Sequence, residues 1–165
     1  MKYRIEEKPA FRIVGSKLTT TMKNQECFAQ IPTFREKCTQ NGTVAELASI
    51  MGIESPLGIL GISVIKPTHA PFEFDYYFAV ATNHETIKDT EEYMIPAATW
   101  AIFECIGALP QALQSLSVQI MTQWLPASGY LMSSEPSLEV YMDNDMSKPD
   151  ARSELWMPVK KKLQH

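Results

Sequence analysis

The stretch Phe72-Glu73-Phe74-Asp75-Tyr76-Tyr77-Phe78-Ala79-Val80-Ala81-Thr82 decides the fold class. It is rich in aromatic and small apolar residues. Phe74, Tyr76, Phe78 and Val80 alternate, so period two puts them on one face of a strand. Immediately upstream, Lys66-Pro67-Thr68-His69-Ala70-Pro71 is a loop by its prolines. Before that, Leu57 to Ile65 is apolar, with glycine and branched residues, and reads as a second strand. Further upstream the period changes. Phe28, Ile31, Phe34 or Arg35, and Cys38 recur at helical spacing, with Asn24 as a possible cap. Pro32 lies inside this pattern, so the helix either kinks there or restarts with proline in its first turn. Asn41-Gly42 ends it, and Val44 to Met51 suits a short second helical piece. The chain opens with a strand from Tyr3 to Thr20, interrupted at Pro9, whose apolar part is Phe11-Arg12-Ile13-Val14. The first half therefore reads strand, helix, strand, strand.

The second half repeats that order without repeating residues. Asn83 to Thr90 is a polar loop. Tyr93 to Ile106 reads as one long strand with Pro96 near its start, stopping at Gly107. Pro110 opens a helix whose apolar stripe is Leu113, Leu116, Ile120 and Trp124, and Pro126 and Gly129 stop it. Strands from Ser137 to Met142 and from Ser153 to Val159 follow. Asp143-Asn144-Asp145 and Lys148-Pro149-Asp150 fill the loop between them. Lys160 to His165 reads as a solvated tail. The pattern predicts an α+β protein of two similar halves, each with one helix on an antiparallel sheet. Two such halves side by side leave a cleft where ligands bind.

Composition sets the outer limits. The chain has 165 residues, 45% hydrophobic and 21% charged, with a formal net charge of -4. It is long enough for one domain with a sizeable core and no stapling. The acidic balance disfavours non-specific nucleic-acid binding, which needs a basic surface. Cys27, Cys38 and Cys105 are odd in number and widely spaced, so they read as reduced thiols and not as a disulfide or zinc framework. The N-terminus lacks an apolar signal region, and no apolar run approaches membrane-spanning length, so a cytoplasmic location is expected.

Few residues carry chemistry. Gly58-Ile59-Leu60-Gly61 is too short for a dinucleotide loop and sits in a strand. His69, His84 and His165 lack metal-ligand spacing, and Ser128-Gly129 lacks the glycine of a nucleophile elbow. No metal and no cofactor is expected. What remains is acidic and aromatic. Glu139 and Tyr141 are two apart on a strand and share a face, while Leu138 and Val140 share the other. The Leu138/Val140 face is expected to pack on a helix, leaving Glu139 and Tyr141 turned away from the helices. In a cleft lined by Tyr76, Phe78, Trp100 or Trp156, Glu139 would be a partly desolvated carboxylate in need of a partner. A cationic ligand supplies that charge, and aromatic faces add cation–π attraction. Both faces remain open for Trp100 and Trp156, and Trp124 suits the core better than a ligand.

Several segments, taken in order, resemble the GyrI-like family, the effector-binding domain of bacterial transcription activators. They are Lys8-Pro9-Ala10-Phe11-Arg12-Ile13-Val14-Gly15, Ile31-Pro32-Thr33-Phe34, Ile95-Pro96-Ala97 with Trp100-Ala101-Ile102-Phe103, and Trp124-Leu125-Pro126-Ala127-Ser128-Gly129-Tyr130. Pro136-Ser137-Leu138-Glu139-Val140-Tyr141 and Glu154-Leu155-Trp156-Met157-Pro158-Val159 complete the set, which covers essentially the whole chain as one domain. The resemblance implies duplicated strand-helix-strand-strand units, a curved antiparallel sheet with helices on one face, and a ligand cleft between the halves. It implies that a glutamate at the position of Glu139 sits at the base of that cleft and binds cationic or amphiphilic aromatic compounds. Tyr141 follows from the same motif, Tyr76 and Trp100 from looser matches, and Phe78 from its strand face alone.

These readings favour a stand-alone binding module that senses or sequesters a small molecule. Strand signals from Tyr3 leave no room for the DNA-binding segment of the activators, so direct nucleic-acid contact is not expected, and neither is a membrane partner. A hydrolase of strained electrophilic genotoxic compounds is the alternative, with Glu139 as general base and Glu104 or Glu154 as a second acid. A third reading, from the family's name, is a DNA gyrase inhibitor-like protein, with a protein partner such as gyrase or a regulator met through a loop such as Asn83 to Glu92.

Overall fold

Proline decides where the strands break. In the computed structural model, which describes residues 1–134 and 136–163, the chain opens with β1 (Tyr3–Lys8) and breaks at Pro9-Ala10. It resumes as β2 (Phe11–Thr21), passes a 3-10 turn at Lys23–Gln25, and forms α1 (Cys27–Gln40) and α2 (Thr43–Ile50). Next come β3 (Ile59–Val64), β4 (Glu73–Ala81) and β5 (Glu91–Ile95). A second break at Pro96-Ala97 leads to β6 (Ala98–Ile106), α3 (Gln111–Gln119), β7 (Tyr130–Met132), β8 (Ser137–Tyr141) and β9 (Arg152–Lys161). The class is α+β, with duplicated strand-helix-strand-strand units.

The chain divides into two compact units. One is Phe11–Ile95; the other joins Met1–Ala10 to the chain from Pro96 onward. In the first, the strands run β3-β4-β2-β5, all antiparallel. In the second they run β8-β9-β6-β1, also antiparallel, with β7 beside the end of β9. The two orders are the same: two strands that follow the helices, then the strand that precedes them, then an outer strand. Each outer strand immediately precedes, in sequence, the first strand of the other unit. The single strands expected over Tyr3 to Thr20 and Tyr93 to Ile106 are therefore each two strands, belonging to different units. A proline has no N–H for the ladder, and Pro9 and Pro96 each mark the change of partner.

Other expectations also shift. Asn24 does not cap α1; it lies in the 3-10 turn at φ 54°, and α1 starts after Glu26. Pro32 is carried within a continuous α1. Phe28 is exposed, because α1 buries Cys27 and Cys38 and turns Phe34 to Tyr76. The helix after Pro110 continues past Gln119 through a π turn at Ile120–Trp124 and a last turn at Leu125–Ala127. Lys160 and Lys161 are paired with Leu131 and Tyr130, so the expected tail begins two residues later, and His165 lies outside the described residues.

The helices fix which face is which. In the first unit, Phe34 of α1 meets Tyr76 edge-on, ring centroids 6.3 Å apart, and Leu47 of α2 packs on Val14 and Val80. Phe74, Tyr76, Phe78 and Val80 thus share one side of β4, as the alternation predicts, and that side is the helix-facing one. In the second unit, Trp124 meets Phe103 of β6 at 4.9 Å and Tyr3 of β1 at 5.2 Å, both edge-on. Among the described residues, no helix is long and apolar enough to cross a membrane.

Candidate functional site

β8 places the carboxylate. Leu138 and Val140 are buried at 0% and 1% exposure, while Glu139 between them is half-buried. Directly opposed residues in neighbouring antiparallel strands share a face. Glu139 lies opposite Leu155 of β9, and Leu155 lies opposite Phe103 of β6. Phe103 is the residue that meets Trp124. Glu139 is therefore on the helix-facing side, which corrects the expectation that Leu138 and Val140 face the helix. The sequence pattern gave the alternation correctly but not its phase. Both sides of β8 are apolar enough in their neighbours to accept cover, so hydrophobicity alone does not choose between them.

The adjoining row on this face is Tyr141, Ser153 and Cys105. The Tyr141 hydroxyl donates to Glu139 Oε2 at 2.6 Å. Tyr141 and Ser153 are buried, as is Cys105. No lysine, arginine or histidine among the described residues pairs with Glu139. Burial pushes the Cys105 thiol up; Ser153 draws it back, and the charge of Glu139 adds to the rise. A buried thiol held this way stays protonated and unreactive. The arrangement is a partly desolvated carboxylate, steadied by the neutral Tyr141 phenol and offered no cation by the described residues. It suits binding of a positive charge.

The two tryptophans do not join it. Trp156 lies opposite Leu138 and Ile102, and Trp100 lies opposite Pro158, so both occupy the other face of this unit. They are fully buried and meet edge-on at 5.7 Å. Lys8 stands over Trp156, 5.5 Å from its ring. The same face takes both acids that the hydrolase reading needs. Glu104 and Glu154 are directly opposed there. Glu154 accepts from Arg4 and from the Trp156 indole, each at 3.1 Å, and Glu104 pairs with Lys2. Neither shares the face of Glu139. Tyr76 and Phe78 lie in the first unit, buried on the side turned to α1.

A polar cluster lies on β4, apart from the residues that the sequence pattern singles out. On the side of β4 away from α1, buried Asp75 accepts from Thr19 at 2.6 Å and pairs with Lys66 at 2.7 Å and with His69 Nε2 at 3.2 Å. Lys66 also donates to the Tyr77 hydroxyl at 2.9 Å. His69 Nδ1 accepts the backbone N–H of Lys66 at 2.9 Å, which assigns its proton to Nε2. Both ring nitrogens are thus engaged, and the imidazole has no free base to offer a substrate. The signal in the sequence was a carboxylate flanked by aromatics inside a strand, preceded across the loop by a lysine. Among the described residues, no cluster of His, Cys, Asp or Glu forms a metal site.

The duplicated α+β fold, with a half-buried carboxylate on the helix-facing side of β8, is that of a small-molecule binding domain related to the effector-binding parts of transcription regulators. The chain belongs to the GyrI-like family, described as a GyrI-like small molecule binding domain, whose model matches residues 1–160. It is similar to the structure of SAV2435 bound to tetraphenylphosphonium: 25% identity, TM-score 0.81, covering 97% of this chain and 94% of that one. It is similar to a Staphylococcus aureus MU50 protein described as a candidate bacterial transcription regulator, at 25% identity and TM-score 0.80, covering 97% and 99%. The C-terminal domain of EcmrR shares the fold at 16% identity and TM-score 0.61, with 98% of both chains covered. No functionally curated protein matches the chain.

Proposed function

We propose that this protein captures cationic compounds with aromatic or amphiphilic bodies, and that Glu139 supplies the counter-charge. The observation that carries this is the half-buried Glu139 carboxylate, which accepts from the neutral Tyr141 hydroxyl and, among the described residues, meets no lysine, arginine or histidine. An ionised carboxylate in this setting gains more from a cation than one in bulk water, because the surrounding dielectric is lower. The relative SAV2435 is bound to tetraphenylphosphonium, a permanent cation whose charge is wrapped in four phenyl groups. Such an ion has no N–H. It therefore leaves the Tyr141–Glu139 hydrogen bond intact and meets the carboxylate through charge alone. Tyr141 then serves to hold the carboxylate oriented toward the ligand.

Isothermal titration of the wild type and Glu139→Gln with tetraphenylphosphonium tests this reading. The substitution keeps shape and removes charge. It is expected to weaken the phosphonium about 10- to 100-fold, in line with roughly 1.4–3 kcal/mol for a charge contact in a partly desolvated site. Triphenylphosphine oxide, neutral and similarly shaped, should lose less than about threefold. Equal losses for both compounds would remove the electrostatic account.

A further inference from the structure

The cluster on the opposite side of β4 has the composition of a cation-binding cage, and it is already filled. Tyr77 and Tyr93 stack with centroids 5.5 Å apart. The Lys66 ammonium stands 5.3 Å from one ring and 5.4 Å from the other. Both distances fall within the reach of about 6 Å at which a ring face attracts a cation. The same nitrogen contacts Asp75 at 2.7 Å and the Tyr77 hydroxyl at 2.9 Å. Asp75 is 2% exposed, yet the cage borders the surface: Thr19 is exposed and Tyr93 half-buried.

Lys66 reaches the cage from a short strap, residues 65–72, not from a strand of the sheet. The strap is tied by the Asp75 contacts of Lys66 and His69, by the Lys66–His69 turn, and by two backbone bonds, from Glu73 N–H to Ala70 and from Met22 N–H to Phe72. Its outer residues return little packing. Ile65 is 82% exposed and Phe72 is 70% exposed. Phe72 also holds φ at 67°, a conformation costly for a bulky residue. Of the ties named here, those through Lys66 and His69 converge on a single carboxylate.

We propose that Asp75, Tyr77 and Tyr93 form a second cation-recognition site, selective for a primary ammonium, whose resident ligand is the chain's own Lys66. Selectivity follows from the contacts. The buried carboxylate and the phenol oxygen accept from the ammonium at 2.7 and 2.9 Å, contacts that a primary ammonium makes through its N–H groups and that a bulkier quaternary one, without N–H, cannot reach. A tethered lysine competes at high effective concentration, so an external amine enters only when the lysine is absent or the strap lifts. The site lies wholly within the Phe11–Ile95 unit and stands or falls independently of Glu139.

Chemical rescue of Lys66→Ala tests it. The variant should melt several degrees below the wild type. Ethylammonium chloride should raise its melting temperature along a saturating curve by about 3 °C, the shift expected for roughly 1 kcal/mol in a domain of this size. Tetramethylammonium chloride and sodium chloride at matched ionic strength should not, and the wild type should stay flat with all three salts. Lys66→Ala combined with Asp75→Asn should lose the response. Should Lys66→Ala not fold, Lys66→Met retains the apolar stem and takes the same titration. A variant that ignores ethylammonium, or responds equally to tetramethylammonium, overturns the proposal.

Discussion

At the scale of single residues, two carboxylates divide the chain's charge chemistry. Asp75 meets Lys66 and His69, whereas Glu139 meets no cationic side chain among the described residues. Burial tends to push the Asp75 carboxyl up, but Lys66, Thr19 and His69 together hold it below the usual carboxylate range. Burial likewise tends to lower the Lys66 ammonium, and its bonds to Asp75 and Tyr77 outweigh that and raise it above the ordinary lysine value. The signs define a window. A lowered carboxylate contributes stability that is present above its unfolded value near 3.8 and is lost as pH falls through the folded one. A raised ammonium contributes stability that is present below its unfolded value near 10.5 and is lost as pH rises through the folded one. Urea unfolding of the wild type and Asp75→Asn across pH should therefore show a constant gap between about pH 5 and 9.5, narrowing on both sides. A gap that does not change with pH would show that the pair contributes through packing alone. Glu139 was legible in the sequence because period two isolates it between Leu138 and Val140 and joins it to Tyr141. Its phase was not legible. Which side of β8 meets a helix depends on the neighbours Leu155 and Phe103, brought there by strand order. The same ignorance of phase placed Trp100 and Trp156 beside it, although an even spacing from Leu138 across β9 puts Trp156 on the far side.

At the scale of elements, β4 and the stripe of α3 were the plainest. Phe74, Tyr76, Phe78 and Val80 do share the helix-facing side, and Leu113, Leu116 and Ile120 are buried as their spacing requires. The element boundaries that failed were those where a residue has two good readings. Lysines at a strand's end read as solvent-facing whether or not their backbone is paired, and β7 was too short to carry a period. A close approach was equally invisible. At Gly15, β2 and β4 come so near that an added Cβ would fall 2.5 Å from the Phe78 carbonyl oxygen and 2.8 Å from Ala79 Cα, besides colliding with the Ala79 methyl. Much of that obstacle is backbone, so no side-chain movement relieves it. Gly15→Ala should destabilise by about 2–3 kcal/mol in urea unfolding, the range for a methyl forced into a filled site. A change under about 0.5 kcal/mol would mean that the register pairing Gly15 with Ala79 is wrong.

At the scale of the whole molecule, the duplication was legible as repeated element order, but the strand exchange was not. A sequence reading joins consecutive residues, and Lys8 to Phe11 and Ile95 to Ala98 look continuous apart from one proline each. The structure assigns β1 to β6 and β5 to β2, so each unit is completed by a strand that belongs, in sequence, beside the other's first strand. The first eight residues therefore support a strand far from them in sequence. Their removal should leave the neighbouring segment β2 undisturbed and damage a strand nearly a hundred positions away. Deleting residues 2–8 strips β6 of its partner from Ala98 to Phe103, and removes Tyr3 from its ring contacts with Phe103 and Trp124. The amides of β6 that faced β1 then lie on a bare edge. In native-state hydrogen exchange they should exchange at least about tenfold faster, since local protection follows the local opening free energy. The amides of Ile13 to Thr20, paired with β4, should keep their protection. A synthetic peptide of residues 1–10 added in excess should restore β6 through strand addition. Loss of protection in β2 rather than β6 would reverse the assignment, because it would show that β1 supports the strand it precedes and not the one it is paired with here.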